Sequence, residues 1–307
     1  MRKLLAIGLL AIPACVTTPD DVRVAEHEII GGEIANPSAY PTVVALEDSP
    51  GNWFCTGTLI AKEWVLTAAH CVADAPAGTA MSVRFDDADV NDTTGGKVVA
   101  VAEVHASADF DWEAWDNDIA LLRLAEPVTD REPTPIHRDP VAAATEVIDV
   151  GFGVADNNDG GGGLLREVTK VTADCAGAND PSVSGANLLC MDASDGRGSC
   201  FGDSGGPTFA RVGGKLVVAG VTSGGTGDAC GAGWDLYTSV YAELAFVDSI
   251  IAPPSEPDPQ TPDPMTPGTD EPTGEADDDG GCSTSGGNGG ALLLAAIAGV
   301  LARRRRR

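Results

Sequence analysis

Residues 200–207 read Cys200-Phe201-Gly202-Asp203-Ser204-Gly205-Gly206-Pro207. Alone, this is a glycine-rich turn carrying one serine. Three further segments change its weight. Upstream lie Leu66-Thr67-Ala68-Ala69-His70-Cys71 and Asp116-Asn117-Asp118-Ile119-Ala120-Leu121-Leu122, and the chain also carries Ile29-Ile30-Gly31-Gly32. Singly, they read as a histidine beside a disulfide, a strand with a polar entry and a glycine turn. Together they supply what hydrolysis of an amide at neutral pH requires. That is an activated nucleophile, a base of near-neutral pKa and donors for a developing oxyanion.

The sequence around these segments is built of short apolar runs. Thr42–Leu46, Thr58–Ile60, Trp64–Thr67, Val98–Val104, Ile119–Leu124, Val147–Val150, Leu216–Val221 and Leu236–Val240 alternate with Gly, Asp and Asn. Such spacing predicts an antiparallel all-β barrel or sandwich. One helix is expected over Val240–Ile251, where Leu244, Val247, Ile250 and Ile251 recur at helical spacing. Asp156 to Gly163 is expected to be a flexible surface loop. With 307 residues, 43% hydrophobic, and a formal net charge of −27, the chain can bury a core and is a poor partner for nucleic acid.

Both ends read as processing signals. Residues 1–14 look like an export signal, with Arg2 and Lys3 ahead of the apolar run Leu4–Ile12. Cys15 ends a stretch that resembles a lipobox, leaving lipidation and ordinary cleavage both open. Residues 15–28 read as a propeptide or tether, 29–252 as the folded body and 253–281 as a disordered Pro/Asp/Thr linker. Residues 282–307 hold Cys282, the short apolar run Ala291–Ala302 and Arg303–Arg307. This tail resembles the sorting signals of myxobacterial surface proteins, which implies a secreted product anchored at a bacterial cell surface. Membrane contact is expected only through these terminal signals. In an exported chain, disulfides are the default for the six body cysteines.

In this order, the four segments resemble the trypsin/chymotrypsin family of serine proteases, from Ile29 to about Ile251. The resemblance implies two antiparallel six-stranded barrels with a C-terminal helix, and a serine endopeptidase working through an acyl-enzyme. It makes Ser204 the nucleophile, His70 the general base and then acid, and Asp118 the residue that orients the imidazole. Backbone N–H groups of Gly202 and Ser204 would form the oxyanion hole, and Ser223 would steady Asp118. The expected bridges are Cys55–Cys71, Cys175–Cys190 and Cys200–Cys230. The resemblance also implies a zymogen, in which cleavage frees the Ile29 amine to pair with Asp203. Glu28 stands where a basic residue is usual, so a different activating protease is implied.

Substrates would be proteins or peptides, with no cofactor and no metal, and the chain is expected to be a monomer. Calcium held by Asp86, Asp87 and Asp89 is weighed against plain solvated charge. The specificity pocket maps to Gly198, Ser199, Ser223, Gly225 and Asp235. Gly198 replaces the aspartate of trypsins, while Asp235 stands where the family usually has glycine. Two readings stay open, cleavage after basic residues through Asp235 or an apolar preference with Asp235 turned to solvent. Gly224 replaces a common tryptophan, which implies weaker contacts beyond the pocket. A non-catalytic surface binding protein on a protease fold is the competing function.

Overall fold

The structure is a computed structural model in which residues 29–73, 79–158, 160–183 and 185–251 are described. The expected export signal, tether, linker and sorting tail, with Cys15 and Cys282, lie outside the described residues.

The chain enters through β1 (Glu33–Ile34) and then builds a first barrel. Its strands are β2 (Val43–Ser49), β3 (Asn52–Ala61), β4 (Trp64–Thr67), β5 (Ser82–Phe85), β6 (Lys97–Ala106) and β7 (Ala120–Leu124). They close in the order β2-β3-β4-β7-β6-β5, every pairing antiparallel. Alternation along the strands turns Val44, Leu46, Leu59, Val65, Val83, Phe85, Leu122 and Leu124 inward as one buried cluster.

The second sheet uses β8 (Glu146–Gly151), β9 (Arg166–Val171), β10 (Leu188–Asp192), β11 (Pro207–Val212), β12 (Lys215–Gly225) and β13 (Trp234–Ser239). Its order is β1-β9-β8-β11-β12-β13-β10. The sheet curls until a single antiparallel bridge, Ala173 to Cys190, ties the end of β9 to β10. The second barrel is therefore a curled half-barrel joined at one point, not a full ladder of six strands. The reason is that β9 ends at Val171 and β1 takes part of its outer edge, Glu33 facing Glu167.

A second apolar cluster joins the halves. Val43, Leu66 and Ile119 of the first barrel pack with Val150, Phe209 and Val221 of the second. Burial at this seam, worth about 25 cal/mol per Å2 of apolar area, fixes how the loops of both halves face each other.

The C-terminal helix α1 (Leu244–Ile250) is shorter than the expected Val240–Ile251. Residues 240–243 form a turn instead, with Glu243 N–H donating to the Ser239 and Val240 carbonyls. Val247 is its buried contact, and Arg138 clasps Asp248 with two bonds of 3.0 and 2.7 Å. Among the described residues, no helix is long and apolar enough to cross a membrane.

The described part of 156–163 is a turn held by several hydrogen bonds. Asp156 Oδ1 accepts from Asn158 and Gly160 N–H, Asn91 donates to the Gly162 carbonyl at 2.8 Å, and Arg166 donates to that of Gly161 at 2.6 Å.

Candidate active site

His70 follows β4 and Asp118 precedes β7, two strands that are neighbours in the first barrel. Asp118 is 0% exposed. A carboxylate so placed must be fully hydrogen-bonded, and it is. Oδ1 accepts from the backbone N–H of His70 at 2.9 Å, and Oδ2 lies 2.6 Å from His70 Nδ1. Ser223, on β12 of the other half, donates its hydroxyl to the same Oδ2 at 2.6 Å. Thr238 of β13 fastens the Asp118 carbonyl at 2.9 Å. An ionised carboxylate only accepts, so the Nδ1 hydrogen is directed to Asp118 and Nε2 is left with its lone pair.

Ser204 sits in the turn before β11. Its carbonyl accepts from Thr56 N–H at 2.8 Å and lies 3.6 Å from Cys71 Sγ, one residue past His70. The turn needs its glycines. Gly202 has φ +97°, and a Cβ there would collide with the Trp53 ring and the Gly153 backbone. Gly205 has φ +80°, and a Cβ would overlap Thr67 Oγ1 and the Thr56 carbonyl. Gly205 N–H donates to Thr222 O and Gly206 N–H to Asp203 O. Among the described residues, the N–H groups of Gly202 and Ser204 have no protein acceptor. Two free donors flanking a serine suit a developing oxyanion.

Asp203 is buried under this turn. Its Oδ1 accepts from Gly153 N–H at 2.8 Å and its Oδ2 from Cys200 N–H at 2.9 Å. Burial pushes its carboxyl up to about 7, against the pull of those two donors. Ile29 is 1% exposed, and Ile30 forms an antiparallel bridge with Gly198, whose N–H donates to the Ile30 carbonyl at 2.9 Å. The Ile29–Gly31 segment is thus held against Arg197 and Gly198.

Beneath the turn lies a second group of carboxyls. Asp235 is 5% exposed, and its Oδ2 accepts from Ser199 N–H at 3.1 Å. A Cβ built on Gly198 would overlap that carboxylate, and one on Gly225 would lie 3.8 Å from its Oδ1. The Asp235 carboxylate therefore occupies the space that a side chain at 198 would take, and it does not point to solvent. Burial, reinforced by Asp149, holds it up at about 7. Asp149 accepts from Thr208 Oγ1 at 2.6 Å and from Tyr237 OH at 2.8 Å, and that hydroxyl lies 3.4 Å from Ser199 Oγ.

Three disulfides join Cys55 to Cys71, Cys175 to Cys190 and Cys200 to Cys230, with S–S distances of 1.98, 2.07 and 2.04 Å. The first stands next to His70. The three side chains together mimic a metal-ligand cluster, but both sulfurs are bonded to each other and offer no thiolate. The acidic stretch weighed for calcium is largely taken up by the chain's own cations and turns. Arg131 grips both Asp86 oxygens at 2.7 and 2.6 Å, Arg84 faces Asp87 at 3.8 Å, and Asp89 Oδ1 accepts from Asn91 N–H.

Sequence reading missed Thr56, Thr238, Asp149 and Trp115. Thr56 and Thr238 act through contacts more than a hundred residues apart in the chain, which no local pattern marks. The Trp112 and Trp115 pair in an otherwise acidic loop is the one local signal that was available.

A closed six-stranded barrel and a curled second sheet meet where the His70–Asp118 pair lies beside the turn of Ser204, whose carbonyl is approached by the sulfur of Cys71. The chain belongs to the trypsin family: the family model described as Trypsin matches residues 29–249.

Proposed function

We propose that the chain is a serine endopeptidase, made as an exported zymogen and anchored at the cell surface. Ser204 attacks the scissile carbonyl, and His70 Nε2 takes its proton and returns it to the leaving amine. Asp118 holds the ring and balances the imidazolium, while the Gly202 and Ser204 N–H groups receive the oxyanion. Water then hydrolyses the acyl-enzyme by the same steps in reverse. The observation that carries this reading is the hydrogen-bonded row Ser223–Asp118–His70 abutting the Ser204 turn with its two unused donors.

Cleavage after Glu28 would place an ammonium near Asp203, a carboxyl with no cationic hydrogen-bond partner in the described chain. A charge pair there is costly to bury by halves, so the new terminus would lock the turn. For specificity, the position of Asp235 against Gly198 favours cleavage after Arg and Lys.

The test is digestion of a mixed peptide library by protein processed to begin at Ile29, with Ser204→Ala as control. Cuts absent from the control, mostly after Arg or Lys, are expected. No cuts from correctly processed protein would reject the peptidase and favour a binding protein on a protease fold. Active enzyme beginning anywhere other than Ile29 would reject the activation scheme.

A further inference from the structure

Asp149 is a buried carboxyl that the peptide-bond chemistry does not use. It lies within β8, 2% exposed, and its backbone pairs with Val168 of β9 and Thr208 of β11. Both of its oxygens are fixed. Oδ1 accepts from Thr208 Oγ1 at 2.6 Å, and Oδ2 accepts from Tyr237 OH at 2.8 Å. Tyr237 is itself fully buried and stands two residues beyond Asp235 on β13. Its hydroxyl oxygen is 3.4 Å from Ser199 Oγ, and Ser199 N–H donates to Asp235 Oδ2 at 3.1 Å. A continuous row therefore runs from Thr208 through Asp149 and Tyr237 to Ser199. It ends beside the carboxylate that faces Gly198.

The hydrogens along this row can be counted. Burial pushes the Tyr237 phenol well above its ordinary value, so it keeps its single hydrogen. The shorter contact, to an ionised acceptor, takes that hydrogen. Between Tyr237 and Ser199 only the serine is then left to donate. Its Oγ has lone pairs alone for anything that enters the pocket, and its N–H is already spent on Asp235. Ser199 and Asp235 together make a floor that accepts hydrogen bonds and offers none. Such a floor suits the ammonium of lysine, a compact group with three donors and no acceptor. Without Asp149, the Tyr237 hydrogen would turn to Ser199, and the serine hydrogen would be released toward an ammonium that has no use for it.

The same carboxyl acts on Asp235 through space. Facing this group of acids are Lys170 and Arg166 from β9, Asp203 from the nucleophile turn, and Tyr237 from β13. Lys170 Nζ, held by the Asp192 and Arg197 carbonyls and by Asp195, favours ionisation of both Asp149 and Asp235. Burial, opposed by Thr208 and Tyr237, pushes Asp149 up to about 6. Burial and then the neighbouring Asp149 push Asp235 up to about 7.

We propose that Asp149 is a positioning residue for the specificity pocket, one that acts through Tyr237 to make Ser199 an acceptor and so favours the ammonium of lysine. Its negative charge also opposes that of Asp235 and confines cleavage after basic residues to neutral and alkaline conditions. The inference rests on the peptidase reading and on recognition of basic side chains by Asp235. It deepens both by assigning a role to a residue that never touches substrate.

The experiment uses protein processed to begin at Ile29 and three peptides identical except for Lys, Arg or Phe at the residue whose carbonyl is cut. Values of kcat/KM are followed between about pH 5 and 9, a range that spans ionisation of the raised carboxyls. Asp149→Asn keeps an acceptor for Tyr237 and removes the charge. Its Lys/Arg ratio should stay near the parent's, while the pH at which the Lys/Phe ratio is half lost falls by about one unit. Asp149→Val removes the acceptor as well, and Tyr237→Phe removes the hydroxyl. Each should lower the Lys/Arg ratio about tenfold. A purely structural role would depress all three peptides alike and leave the pH profile in place.

A Lys/Arg ratio unchanged in Tyr237→Phe, or a pH profile unmoved in Asp149→Asn, overturns the inference, as does a parent that cuts only after apolar residues. Should Asp149→Val fail to fold, those two variants decide. Absence of any Ser204-dependent cleavage would instead reject the peptidase reading. The row is then judged by binding of the Lys and Arg peptides to Ser204→Ala protein. There Tyr237→Phe should weaken the Lys peptide about tenfold relative to the Arg peptide, and Asp149→Asn should not. Equal weakening of both peptides overturns the inference.

Discussion

Thr56, on strand β3, donates its hydroxyl to the carbonyl of Gly202 at 2.8 Å, so the first barrel grips the turn that carries the nucleophile. The same oxygen accepts from Phe152 N–H at 3.2 Å, and the Thr56 backbone N–H holds the Ser204 carbonyl. One fully buried residue thus ties both halves to the Gly202–Ser204 peptide groups. Thr56→Val keeps the volume and removes the hydroxyl. A lost hydrogen bond of about 1 kcal/mol, felt at the oxyanion donors, predicts a kcat about fivefold lower with KM little changed. Steady-state kinetics on processed enzyme checks it, and an unchanged kcat would mean that the donors are set without Thr56.

The pH dependence of stability follows from three buried carboxyls. Burial raises Asp149 to about 6, and Asp203 and Asp235 to about 7. In the unfolded chain such groups release their protons near pH 4. Between about 4 and 7 the folded form therefore binds more protons than the unfolded form, and stability falls as pH rises. Urea midpoints of uncleaved Ser204→Ala protein should drop from pH 5 to pH 7.5. Asp203→Asn should flatten that slope, because its side chain no longer titrates. A midpoint that rises over this window would contradict the burial of these groups as neutral acids.

Specificity should carry the same signature. Asp235 attracts a basic side chain only when ionised, so cleavage after Arg and Lys should weaken as pH falls below about 7 relative to cleavage after Phe or Leu. Asp235→Gly should abolish the basic cuts and leave the others. Profiles of one peptide mixture at several pH values, with and without the substitution, decide the matter. An unchanged profile for Asp235→Gly would remove the carboxylate from substrate recognition.

The acidic loop of the first barrel depends on an internal guanidinium. Arg84 is buried with Glu47 at 2.6 Å and also donates to the Gly95 carbonyl at 2.6 Å. Arg84→Met strands a buried carboxylate, a loss of about 3–5 kcal/mol. Arg84→Met/Glu47→Leu should recover most of it, since no charge is left unpaired. Urea unfolding measures both, and calcium or EDTA should shift the wild-type midpoint little. A large shift with calcium would show that the loop takes a cation despite its arginines.

Much of this arrangement was legible in the sequence, and the exceptions have physical causes. Trp64–Thr67 was read to the residue because four apolar or β-branched residues stand between clear breaks. Arg166–Val171 was not read as a strand, since its inward positions include Arg166 and Lys170. Lys170 Nζ is buried between the carbonyls of Asp192 and Arg197, at 2.7 and 2.8 Å, and the Asp195 carboxylate at 3.0 Å, while Arg166 donates to the carbonyls of Gly161 and Leu164. Polarity patterns cannot anticipate acceptors that come from distant loops. Likewise, the motifs located Ser204, His70 and Asp118, but not the threonines that fasten them. The orientation of Asp235 became decidable only once Gly198 and Gly225 were seen to flank it.

Among the described residues, every disulfide closes a loop within one half: Cys55–Cys71 in the first, Cys175–Cys190 and Cys200–Cys230 in the second. Among the described residues nothing covalent links the halves except the chain itself, and between Leu124 and Glu146 that link is a single passage outside the named strands bearing exposed Glu126, Asp130 and Asp139. One nick there would leave two bridged fragments held by packing and by hydrogen bonds such as those from Ser223 to Asp118 and from Thr56 to Ser204. His70 and Asp118 would travel with one and Ser204 with the other. The site is therefore completed across a non-covalent seam, and its geometry lasts only as long as the two halves stay docked.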